Sequence, residues 1–226
     1  MNPDKFILEN GEEIPLVFTT RRGLRNITLR PKTTPKREIH ISIPRLAGIA
    51  GALKFAEQKR DWLEKIYARA PQKIKLQAGD VITLFGEEYV IGRRAESAEC
   101  RYIIISGAPE FLERRLRDKI KEMFLARARE IIRETPREFH PARIAARDTS
   151  SRWGSCSSTG TISFSWRLAF APASVMRYVI MHELAHKKHM DHSSAFWAQV
   201  AQLYGPGVGR AKLWLTKHGA ELHRYF

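Results

Sequence analysis

Residues 182–192 read His-Glu-Leu-Ala-His-Lys-Lys-His-Met-Asp-His, and four of the chain's eight histidines fall within them. The first five form H-E-x-x-H, the arrangement by which one helix offers two imidazoles and a carboxylate to a metal ion. Side chains four apart on a helix share a face, so His182 and His186 can point at one zinc. Glu183 lies about 100° round the helix, within reach of a water at the metal without being a ligand. The residues around the motif (Val179, Ile180, Met181, Leu184, Ala185) are apolar, which predicts a buried helix. Packing alone gives no reason to gather imidazoles there, because each buried one needs a partner.

Zinc needs a third protein ligand and leaves its fourth position to water. His189 is within about 20° of His182 on a continuous helix, but about 10.5 Å further along the axis at 1.5 Å per residue. His192 becomes the better ligand if the chain turns after about Lys188. The His186–His192 spacing is that of longer zinc motifs in which a glycine makes the turn. Here His189 takes the place of that glycine, and it tolerates the left-handed conformation less readily. Glu221 or Asp191 is the fallback carboxylate ligand.

Upstream, Pro172 and Ser174 open the helix Val175–Lys188, with Ser174 as N-cap. Ile144 to Trp166 reads as strand and hairpin about a turn at residues 157–160. Ile162, Phe164 and Trp166 alternate with Ser163 and Ser165. The stretch Thr161–Trp166 is either an edge strand able to pair with an extended peptide or a core hairpin. Downstream, Ser193 or Ser194 caps a helix through Phe196, Trp197 and Leu203. Gly205-Pro-Gly207 breaks it, and a last helix runs from Val208 to Lys217. Trp153 and Trp197 read as core residues, and Cys156 as a buried thiol rather than a nucleophile.

Further out, a helix of about 25 residues follows Gly107-Ala-Pro109, with Leu112, Leu116, Ile120, Phe124, Ala128 and Ile131 as its buried face. Its charges, eight basic and five acidic between Glu113 and Glu134, make a solvated face. The N-terminal part reads mostly as strands: Arg25–Arg30 and Glu38–Ile43, joined through Pro31 and Pro35, then Val81–Phe85, Glu88–Ile91 and Arg101–Ile105, with Gly86 in a turn. Leu53 to Ala68 reads as one helix closed by Pro71, its stripe made by Phe55, Trp62, Leu63 and Ile66. The expected class is α+β, with a strand-rich N-terminal domain (1–106) and a catalytic domain (107–226).

The 226 residues allow one large domain or two small ones, and 43% apolar content supports a folded core. No run approaches the roughly 20 apolar residues of a membrane span. The N-terminus lacks the regions of a signal peptide, so a cytoplasmic location is expected. Cys100 and Cys156 suit a reducing compartment better than a disulfide scaffold. The 39 basic residues exceed the 24 acidic ones, a net charge of +15 that attracts polyanions such as nucleic acid, although no long Lys/Arg block concentrates it.

Taken in order, Ser151-Arg-Trp-Gly-Ser-Cys156, Ile162-Ser-Phe-Ser-Trp-Arg-Leu168, Tyr178-Val-Ile-Met-His-Glu-Leu-Ala-His186 and His192-Ser-Ser-Ala-Phe-Trp197 resemble the YgjP-like metallopeptidases. Lys59-Arg-Asp-Trp-Leu63 and the hairpin at Gly86 match the same family, so the resemblance covers nearly the whole chain. It implies a zincin-like catalytic unit, a Zn2+ held by His182, His186 and His192, a catalytic Glu183, and no ligand role for His189. The family is similar in its active-site helix to the SprT-like and WLM proteases, which are associated with proteins crosslinked to DNA. The expected activity is zinc-dependent hydrolysis of a protein or peptide substrate. The rival is a basic, nucleic-acid-associated protein whose zinc site is structural or latent. A structural site has no need of a carboxylate beside its first ligand, which favours the enzyme.

Overall fold

A computed structural model describes residues 4–33, 36–45, 47–70, 73–149 and 152–226. Pro35, Pro71 and Ser151, assigned roles above, lie outside them. The chain is α+β and divides into two compact units between residues 72 and 73.

In the first unit, strands β1 (Lys5–Ile7), β2 (Glu13–Arg21), β3 (Thr28–Lys32) and β4 (Glu38–Pro44) form a sheet of order β1-β2-β4-β3. The central pair, β2 and β4, is parallel, and the outer pairings are antiparallel. Pro31 lies inside β3 rather than in the connection after it, which is possible because β3 is an edge strand and needs no donor on its open side. The expected helix Leu53–Ala68 is instead two, α1 (Ile49–Gln58) and α2 (Arg60–Arg69), broken at Lys59 (φ −102°, ψ 15°). The break turns the buried stripe to Ala52, Ala56, Leu63 and Tyr67, while Trp62 is 44% exposed. These four pack with Phe6, Ile14, Ile39 and Ile41. The Tyr67 hydroxyl, buried at one end, donates to the Glu38 carbonyl at 2.7 Å.

The second unit begins with β5 (Val81–Leu84), β6 (Glu87–Gly92) and β7 (Tyr102–Ile104), a sheet of order β5-β6-β7. Phe85 and Gly86, both at positive φ, make its two-residue turn. Ile82, Leu84, Ile91 and Ile103 share one core with Leu116, Ile120 and Phe124 of α3 (Leu112–Arg133). The chain therefore does not divide at the expected 106/107: composition changes there from strand to helix, but the apolar core runs straight across. The buried face of α3 is the one read from its periodicity, with Leu112 half-buried and Ile132 added.

Next come β8 (Arg143–Arg147), β9 (Gly154–Cys156) and β10 (Thr161–Ser165), ordered β8-β10-β9. Strand β10 is central, parallel to β8 and antiparallel to β9. The edge-strand reading of Thr161–Trp166 is thereby corrected: β8 closes its far side. Trp166 leaves the strand and opens a 3-10 segment, Trp166–Phe170. Arg167 in that segment is buried, pairs with Asp148 at 3.0 Å and donates to the Tyr225 carbonyl at 2.6 Å and the Phe226 carbonyl at 3.2 Å. Three helices complete the unit: α4 (Ala173–Ala185), α5 (Ser194–Tyr204) and α6 (Val208–His218). Pro172 holds the N-cap position of α4 and Ser174 lies inside the helix, which suits proline's fixed φ. No described helix is long and apolar enough to cross a membrane.

Candidate metal centre

Helix α4 stops at Ala185, three residues before its expected end. Residues 186–188 form a turn, with Lys187 and Lys188 N–H groups donating to the Leu184 and Ala185 carbonyls at 3.0 Å. His189 is not at positive φ, so the reversal needs no left-handed residue and hence no glycine. The chain then folds back, and Ser193 caps α5 through its hydroxyl, which accepts from Phe196 N–H at 3.4 Å.

That turn brings His192 to the two histidines of α4. One ring nitrogen from each of His182, His186 and His192 lies within 4.8 Å of the others. Nε2 of His192 and Nε2 of His182 are 3.3 Å apart. The His186 Nδ1–H is directed at the His189 carbonyl at 2.9 Å, which leaves Nε2 of His186 with its lone pair free. Position 189 thus contributes through its backbone. Asp191 accepts from Ser193 and Glu221 pairs with His218, so neither fallback ligand joins the cluster. Among the described residues this is the one group able to hold a metal.

The floor under the imidazoles is Phe196, fully buried, its ring stacked on His186 at 4.5 Å and within 4.9 Å of His182 and His192. Trp197 is not simply core: its ring stands 5.7 Å from His182, with the Lys212 ammonium 4.6 Å over it. Burial, with His186, His192 and Lys212 adding positive charge, lowers the His182 pKa to about 4, so the ring is neutral and able to donate a lone pair.

Glu183 is only 5% exposed. It makes no hydrogen bond or ion pair with another described residue. Burial raises its pKa to about 7, opposed by the field of Arg152. The carboxylate lies directly against β9. A Cβ built on Gly154 would sit 2.6 Å from the Glu183 carboxyl carbon, far inside ordinary contact. Gly154 therefore sets where Glu183 can be. Sequence reasoning passed over this residue, although an isolated glycine inside a strand is itself a signal of close approach. Cys156, two residues on, has its thiol pushed up by burial and then by Glu183, the opposite of an activated nucleophile. Both cysteines are free.

Residues 25–218 match the model of the family described as "YgjP-like, metallopeptidase domain". The chain belongs to this family. A metallopeptidase family implies a metal ion, and the three-histidine cluster falls inside the matched span. Among solved structures, the chain is similar to the crystal structure of the metallopeptidase zymogen of Pyrococcus abyssi abylysin. The identity is 26%, over 46% of this chain and 97% of that one, with a TM-score of 0.33. Comparison with curated proteins gave no match.

Proposed function

We propose that this family member is a zinc-dependent metallopeptidase that hydrolyses a peptide bond with Glu183 as general base. The observation that carries the reading is three converging imidazoles with, next in the chain to His182, a buried carboxylate that has no hydrogen-bond or ion-pair partner among the described residues. The donor set suits zinc. Nitrogens about 2.0–2.1 Å from a tetrahedral zinc are roughly 3.3 Å apart, and the His182–His192 nitrogen separation is 3.3 Å. Three imidazole nitrogens suit zinc better than magnesium or calcium, and three protein ligands leave one position open.

His182, His186 and His192 would hold the ion. Zinc, when bound, acidifies water and polarises the scissile carbonyl. The rest falls to Glu183. With its pKa raised to about 7, its carboxylate accepts a proton from water as the water oxygen bonds to the carbonyl carbon. The carboxyl then returns that proton to the amide nitrogen as the C–N bond breaks. Phe196 beneath the histidines and Gly154 beside the carboxylate keep both groups in place.

The test pairs metal analysis of the purified protein with hydrolysis of an unstructured protein substrate. Wild type and Glu183→Gln should each carry one zinc per chain, and the variant should lose roughly 10²- to 10⁴-fold in rate, the range for a general base. A metal-free wild type, or a variant as active as wild type, overturns the reading. Zinc in both with hydrolysis in neither points to a structural site.

A further inference from the structure

Away from the metal centre, β8 is the edge strand of its sheet opposite β9, and among the described residues it pairs only with β10. Half of its N–H and C=O groups therefore face outward with no strand to meet them. Beside it runs a groove of about 700 Å³ walled by the C-terminal half of α3. Its lining carries three arginines, Arg129, Arg133 and Arg143, and no acidic residue. All three are exposed, and none forms an ion pair with a described residue. The neighbouring acids, Glu130 of α3 and Glu134 just beyond it, are already engaged, with Arg127 at 2.9 Å and Arg177 at 2.5 Å respectively.

We propose that the groove between α3 and the free edge of β8 takes an extended acidic peptide as an added strand, its carboxylates paired with Arg129, Arg133 and Arg143. An edge strand offers alternating donors and acceptors, which another peptide backbone matches and a phosphate backbone, acceptor only, does not. The remaining lining is aliphatic, proline or histidine, with no phenylalanine, tyrosine or tryptophan on which a nucleic-acid base would stack. Guanidinium groups pair with carboxylates in a bidentate fashion, so acidic side chains on alternate residues of the added strand fit the wall. Five residues of β8 offer about 16 Å of edge, enough for a segment of similar length. One end of the groove is fixed to the segment that follows the metal-binding helix: Lys187 donates to the His140 carbonyl at 2.6 Å, and Lys188 pairs with Glu138 at 2.7 Å. The site is separate from the metal centre, and its binding does not rest on hydrolysis.

The probe is a fluorescein-labelled peptide, Thr-Glu-Val-Glu-Thr-Glu-Val-Glu, titrated by anisotropy against the full chain, its integrity checked by mass. Replacing Arg129, Arg133 and Arg143 together by Gln should weaken binding at least about ten-fold at an unchanged melting temperature. The corresponding Lys variant, which keeps the charge but not the bidentate fork, should bind more tightly than the Gln variant and more weakly than wild type. A peptide with Gln for every Glu, and one N-methylated on the alternate residues that face β8, should each lose a similar factor. Both alternate sets are tested, since only one faces the strand. An unchanged affinity in the Gln variant overturns the charge assignment, and full affinity of both N-methylated peptides overturns strand addition. Oligothymidylate binding lost in the Gln variant, with no peptide binding in wild type, would make the groove a nucleic-acid surface and refute the proposal.

Discussion

The two edges of the sheet β8-β10-β9 are built to opposite ends. On the β9 side the helix carrying His182 and Glu183 comes so close that only a glycine fits at 154. On the β8 side the neighbouring helix stands off, leaving a groove lined by three arginines that form no ion pair with a described residue. The first edge is packed to fix one carboxylate, and the second is left open and charged. The proposed reaction site and the proposed docking surface thus lie at opposite edges of one sheet with β10 between them, tied only where Lys187 and Lys188 meet His140 and Glu138.

The strongest way to break this contrast is Gly154→Ala. The added methyl must displace the Glu183 carboxylate by on the order of 1 Å, and a shift of that size costs about 100-fold in rate. Zinc content and KM should stay near wild type while kcat falls, and steady-state kinetics with metal analysis separate the three. A Gly154→Ala enzyme with full kcat would show that the strand does not position the base. Overpacking should also cost about 1–3 kcal/mol of stability, read by denaturant unfolding. The counterpart on the open edge is Ala145→Ser, a small enlargement in a roomy groove. Stability should move by less than about 0.5 kcal/mol and kcat should not move.

The smallest effect concerns His223, buried against Trp153 at 5.5 Å. Burial, reinforced by Arg167, lowers its pKa to about 4 from an ordinary 6.5. Above pH 6.5 the ring is neutral in both folded and unfolded chains, and it has no effect on the pH dependence. As pH falls from 6.5 towards 4 the unfolded chain takes up a proton that the folded one refuses, so stability drops, by at most about 1.4 kcal/mol per pH unit. Below about 4 the loss levels off. His223→Gln should flatten that part of the stability profile, measured by denaturant unfolding of metal-free protein at a series of pH values. An unchanged slope would mean that His223 is protonated in the folded chain.

Much of the metal centre was legible because its information is local. Helical periodicity aligns His182 with His186, and a short turn recovers His192, so eleven residues suffice to bring the three together. Gly154 was not legible as a partner of Glu183, since twenty-nine residues separate them and only the packing of α4 on β9 joins them. The same holds for Thr161–Trp166: alternation showed which face is buried, but not that β8 would pair in parallel from the far side and make the strand central. In the first unit the helix break at Lys59 has neither proline nor glycine to announce it. It is set by which residues reach the sheet, and Ala52 and Tyr67 win over Phe55 and Trp62. The expected domain limit failed because a change of local periodicity is not a change of core.

The hydrogen bond from His186 to the carbonyl of residue 189 makes the proposed metal site indifferent to the side chain of His189. What the ligand recognises there is a peptide oxygen, and every amino acid supplies one. The third histidine of the motif is thereby released from the chemistry. Its imidazole can be exchanged for other side chains that keep the turn, while the proton it steers on its neighbour stays where it is.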